Sequence, residues 1–291
     1  MATLLDFRRR IRSVKNTQQI TRAMKFVAAA RLRRAQDRAI SARPYAAQIA
    51  RVLRSTMARI ENPVHPLMAR RDEAKILTLV LTGERGLCGA FNANILRKAV
   101  EFLRARRERK LFVIPVGRKG RDALRKQNFS FLGEYVNVLA KVEFSTAREI
   151  AALINELYSS AQVDAVYIVY SEFKNVIAPK LMLEKLLPVE TLREEDSAGA
   201  GAGAAQVDYI YEQPAADLLS RLLPRYVETQ VFHAMLESSA AEHAARMTAM
   251  DSATNNAGEV IDALTLHMNK VRQAAITKEI IEIIGGAAST A

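Results

Sequence analysis

The sequence predicts an α/β fold in which N- and C-terminal helices form a long antiparallel coiled coil, with an α/β domain inserted between them. Three observations carry this. Residues from about Leu4 to Ile60 hold a helical apolar stripe, interrupted between Gln18 and Lys25, with no glycine. Residues from about Glu212 to Ile284 hold a second such stripe. Between them, from about 74 to 190, short β-branched runs alternate with amphipathic segments. The implied organisation is a first helix over 1–60, an α/β domain over 74–190, a Gly/Ala loop over 191–208 and a return helix over 209–291.

In the first helix, steps of three and four residues pick out Leu4, Phe7, Ile11, Val14, Gln18, Thr21, Lys25, Ala28, Leu32, Ala35, Ala39, Ala42, Ala46, Ile49 and Leu53. Twelve of these fifteen are apolar, the pattern of a coiled-coil seam. The polar stretch from Gln18 to Lys25 reads as a stutter, with Ile20, Met24 and Val27 carrying the stripe on a shifted face. The alanines make the seam thin enough for close approach of a partner helix. Pro44 is a candidate kink, and "ENPVHP" (61–66) ends the segment.

The middle segment contains three strand-like runs, "AKILTLVLT" (74–82), "KLFVIPVG" (110–117) and "DAVYIVYSEF" (164–173). Helical patterns over 90–107, 118–127 and 145–160 separate them. Strands alternating with helices predict a parallel sheet, a Rossmann-like arrangement. The low-complexity "REEDSAGAGAGAAQ" (193–206) reads as a surface loop.

The return helix repeats the seam at Met247, Met250, Thr254, Ala257, Ile261, Leu264, Met268, Val271 and Ala275, with Pro224 and Gly258 as interruptions. It outruns its partner by more than a dozen residues. From about Val271 to Ile284 it therefore has no partner in this chain, and the isoleucines there call for a socket on another protein. Leaving each in water forfeits roughly 1.5–3 kcal/mol of burial.

Forty-three Lys and Arg against thirty-one Asp and Glu give a formal charge of +12, which implies an acidic partner. The single cysteine, Cys88, allows no intrachain disulfide and fits a reducing compartment. The longest apolar runs are too short to span a bilayer, and the basic N-terminus lacks the apolar core of a signal peptide.

Chemical motifs are sparse. "TGERGLCGAFN" (82–92) occupies the strand-to-helix position of a phosphate loop, but Ala90 and Phe91 follow Gly89 where Lys and a hydroxyl residue are needed. Gly83, Gly86 and Gly89 also miss the dinucleotide spacing. His65, His233, His243 and His267 show no metal spacing and read as isolated surface histidines. Cys88 reads as a small buried thiol, and Glu279 with Glu282 as a solvated helix edge. The arginines of the first helix could track phosphates, so a basic coiled-coil protein that binds nucleic acid is the alternative reading.

Five blocks in order resemble the γ subunits of F-type (F1Fo) ATP synthases of bacterial type. These are "RRRIRSVKNTQQITRAMKFVAAARLRRAQ" (8–36), "RGLCGAFN" (85–92), "YIYEQP" (209–214), "LLPRYVETQVFHAMLESSAAEHAARMTAM" (222–250) and "NKVRQAAITKEIIEIIGGAAS" (269–289). The resemblance implies a central rotor shaft without catalytic residues or cofactor of its own. It would couple proton-driven rotation of the c ring to conformational cycling of the β sites that make or hydrolyse ATP. The implied partners are the α3β3 hexamer, the ε subunit and the c ring of Fo, with no nucleic acid. Membrane association would be indirect, at the cytoplasmic face of the bacterial inner membrane. By motif, Met24, Lys25, Arg246, Arg272 and Gln273 match positions that contact β. Ile276, Thr277, Glu279, Ile280 and Ile283 match the C-terminal bearing, and Tyr209, Tyr211 and Glu212 the foot on the c ring and ε. The cysteine pair of the chloroplast members' regulatory insertion is absent from this sequence.

Overall fold

A computed structural model describes residues 3–57, 65–175, 179–189 and 214–289. The described chain forms two units, one from Met1–Ala29 with Arg246–Ala291 and the other from Ala30–Ala245. Helix α1 (Leu4–Met57) and helix α5 (Ala215–Ser289) each contribute to both. Pro44 and Pro224 lie inside these helices, and neither they nor Gly258 ends one.

In the first unit α1 and α5 pair antiparallel: Phe7 packs at a tilt against His267 with ring centroids 5.0 Å apart, Thr21 hydrogen-bonds Thr254 at 2.8 Å, and Lys25 pairs with Asp251 at 2.5 Å. All fifteen positions of the predicted α1 stripe are buried or half-buried. The predicted stutter is corrected. Ile20 and Val27 are 60% and 53% exposed, so the stripe does not move to them. The polar positions stay in the seam because α5 answers them: the Gln18 amide donates to the Thr254 carbonyl at 3.3 Å, beside the Thr21 and Lys25 contacts. Gly258 leaves room for this, since a Cβ there would stand 3.3 Å from the Gln18 amide nitrogen.

The second unit carries a five-stranded sheet. Its strands are β1 (Lys75–Leu81), β2 (Lys110–Val116), β3 (Ser130–Phe131), β4 (Ala165–Glu172) and β5 (Lys180–Leu187), in the order β3-β2-β1-β4-β5. The helices between them are α2 (Phe91–Arg104), α3 (Arg118–Arg125) and α4 (Phe144–Ser159). The β1–β2, β1–β4 and β2–β3 pairs are parallel. Central β1 is buried from Ile76 to Leu81, which explains its unbroken apolar run. The expectation of a parallel sheet needs one correction, because β5 runs antiparallel to β4. The sequence pattern assigns no element to 181–190: "KLMLEKLL" is neither β-branched nor alternating, and it becomes a strand by pairing at the sheet edge.

The core joins the sheet and α4 to both long helices, with Leu53 and Met57 of α1 and Leu223, Val227 and Val231 of α5 in one cluster with Leu79, Ile154 and Ile168. The glycine after β2 is indispensable to this packing. Gly117 has φ +101°, and a Cβ there would lie 1.9 Å from the Thr82 carbonyl oxygen. Gly117→Ala is expected to destabilise the fold by more than about 1 kcal/mol, read from urea unfolding, whereas an ordinary exposed Gly→Ala change would be neutral or stabilising.

Candidate functional site

The loop after β1, at the strand-to-helix position of a phosphate loop, is tied down by its own side chains. Glu84, in the loop between β1 and α2, turns to the N-terminus of the neighbouring α3, where its carboxylate accepts the Arg118 backbone N–H at 3.1 Å. Asn92 braces the loop, accepting the Gly83 N–H at 2.8 Å and donating to the Cys88 sulfur at 3.1 Å. Cys88 is buried, as the sequence predicts. Among the described residues no group of three or more His, Cys, Asp or Glu is placed to hold a metal.

His233 and His243 need correction as surface residues. His243 is buried, and His233 lies 3.4 Å from the Glu237 carboxylate. Burial would push Glu237 up, but hydrogen bonds from His233 and Arg43 outweigh it and hold this carboxyl below its ordinary value. Burial dominates at Glu184 and pushes it up, although Tyr170 donates a hydrogen bond to it at 3.3 Å.

In the first unit the predicted contact residues fall into two settings. Met24, Lys25 and Arg246 are half-buried along the helix pair, while Arg272, Gln273, Thr277 and Glu279 are exposed on α5. Phe7 faces His267, so α1 ends about one turn further on and α5 beyond Val271 has no described α1 residue left to face. The consequence is direct: every residue from Arg272 to Ile281 is exposed. Ile276, Ile280 and Ile283 are 48%, 50% and 71% exposed, with Ile281 and Ile284 more than half exposed beside them. The side chain of Glu282 lies outside the described ones. So do Tyr209, Tyr211 and Glu212 and the 191–208 loop.

Sequence reading misses two polar partners. Asp251 holds Lys25, and Glu237 gathers Arg43 and His233. The available signal for Glu237 is a lone acid inside the otherwise small and apolar "AMLESSAA" (234–241).

Comparison with known proteins decides the family. The ATP synthase family model matches residues 3–290. A relative from Solibacter usitatus, an ATP synthase gamma chain, is 52% identical over 293 residues and 99% of each chain. This chain belongs to the ATP synthase gamma-chain family. The gamma chain of Pelotomaculum thermopropionicum is 47% identical over 289 residues, again covering 99% of both. Among solved structures, a chain of the Tetrahymena thermophila mitochondrial ATP synthase central stalk and c ring is 26% identical, with TM-score 0.60. The match covers 80% of this chain and 99% of that one. A chain of the Euglena gracilis mitochondrial ATP synthase is 22% identical with TM-score 0.65 over 99% of this chain and 94% of that one, and shares the fold. Among the described residues no helix is long and apolar enough to cross a membrane.

Proposed function

We propose that this chain is the central rotor shaft of an F1Fo ATP synthase, turning with the proton-driven c ring and forcing the β catalytic sites through their conformations in sequence. The observation that carries the reading is the 52% identity to an ATP synthase gamma chain over 99% of both sequences. The exposed isoleucine tip of α5 supports it, since a bearing needs an apolar end for its sleeve. The mechanism requires no catalytic group in this chain. One asymmetric shaft cannot present the same contacts to three β subunits at once. Their affinities for ADP, phosphate and ATP therefore differ and exchange as the shaft turns.

In this reading Met24, Lys25, Arg246, Arg272 and Gln273 contact β, with the shaft's cations meeting acidic loops. Ile276, Thr277, Glu279, Ile280 and Ile283 turn in the α3β3 sleeve. Tyr209, Tyr211 and Glu212 meet the c ring and ε, and the α/β domain forms part of that foot. The assembly sits at the cytoplasmic face of the bacterial inner membrane and binds it through Fo.

An affinity pull-down from host membranes tests this. The expected result is α and β at three copies each per copy of this chain, together with ε. Recovery of nucleic acid or ribosomal proteins without α or β would overturn it in favour of a nucleic-acid-binding coiled coil.

A further inference from the structure

We propose that Glu237 is the joint that fixes the α/β domain in rotation against both long helices, so that load on the domain passes into the shaft through this carboxylate. The inference rests on the rotor-shaft reading and on the domain's place in the foot. Its geometry lies wholly within the second unit.

The Glu237 side chain is 0% exposed. One of its oxygens accepts Nε and Nη2 of Arg43 on α1 at 3.1 and 2.9 Å, with Nε2 of His233 on its own helix at 3.4 Å. The other oxygen accepts the backbone N–H of Phe173, directly after β4, at 3.1 Å. Arg43 closes the ring by donating Nη2 to the carbonyl of the same Phe173 at 3.4 Å. The end of β4 is thus held by both of its backbone polar groups, one by each long helix.

Directionality makes this a joint. Apolar side chains packed between elements tolerate small sliding motions, and α5 contributes such side chains to the domain's core through Val227, Val231 and Leu236. Charge-assisted hydrogen bonds with a guanidinium fork lose energy when their geometry rotates. Two further polar attachments, Arg38 to the Val142 carbonyl and Ser239 to the Leu139 carbonyl, are single contacts. A second restraint on α5 is steric. Gly83 sits so close to the buried Glu242 that a Cβ on it would lie 2.8 Å from the carboxyl carbon.

The test is torsional stiffness in the assembled α3β3 complex with this chain. The hexamer is anchored and a magnetic bead is attached through Arg107→Cys on the exposed surface after α2. Glu237→Ala is expected to lower the stiffness between bead and hexamer at least about threefold, while unloaded ATP hydrolysis stays within about twofold. Arg43→Lys keeps the cation but loses the fork, and is expected to lower stiffness about twofold with assembly intact. It keeps the question answerable if the alanine variant fails to assemble. Wild-type stiffness in both, or in Arg43→Lys alone where Glu237→Ala does not assemble, would overturn the proposal. Because the bead loads the domain directly, the outcome does not depend on whether the c ring grips that domain. Protons pumped per ATP in membranes tests that reading separately, since a domain outside the load path leaves the ratio unchanged in both variants.

Discussion

Arg43→Ala is expected to cost about 3–5 kcal/mol of stability at neutral pH, because it strands a buried carboxylate. Glu237→Ala at the other end of the pair should cost less, about 1–3 kcal/mol. The Arg43 side chain it leaves behind is 47% exposed and finds water, so the main loss is the orphaned Phe173 N–H. The double variant should therefore be more stable than Arg43→Ala alone, a coupling that urea denaturation of the four proteins measures directly. Equal costs for the two single variants, adding in the double, would mean that Glu237 is solvated and the pair is an ordinary surface contact.

The pH dependence follows with a definite sign. In the wild type Glu237 titrates below its unfolded value, so its contribution is present above the ordinary carboxylate range and is lost as pH falls through the depressed folded value. Without Arg43, burial is opposed only by His233 and the Phe173 N–H, and the folded value rises. The penalty of Arg43→Ala should then be largest near neutrality and shrink on acidification, where the carboxyl takes up a proton. The gap between the two unfolding midpoints, measured at pH 7 and again near 4.5, should narrow; a gap that widens would contradict this assignment of the charge.

The long helices were legible because a seam repeats, and repetition survives local exceptions. The exceptions themselves were not legible. Gln18, Thr21 and Lys25 look like a break in an apolar stripe until Thr254 and Asp251 stand opposite them, and only the antiparallel register brings those residues together. β1, β2 and β4 announce themselves by burial on both faces. β5 does not, because an edge strand is defined by its neighbour, and its "LEK" interior suits a helix equally well. Glu237 was invisible for the same reason on a larger scale. Its meaning depends on residues 43, 173 and 233, three positions that no spacing rule connects. The uncovered tip was legible from length alone, since a helix longer than its partner must end unpaired.

That tip gives the other large expected effect. Replacing Ile276, Ile280 and Ile283 together with serine should leave the stability of the isolated chain within about 1 kcal/mol, because all three are already about half exposed or more. Affinity for an α3β3 hexamer should fall sharply. If each isoleucine passes from its present exposure to full burial, the gain lost is roughly 1–2 kcal/mol per residue at about 25 cal/mol per Å². Three residues then account for about two to four orders of magnitude in Kd. A fluorescently labelled chain titrated with hexamer reads this, with affinity for random-sequence duplex DNA measured in parallel. Charge-driven DNA binding should not respond to the loss of three neutral side chains, so a selective loss of hexamer binding assigns the tip to the bearing. Unchanged hexamer affinity would mean that the helix pair below Val271 carries the docking and that the isoleucines meet some other surface.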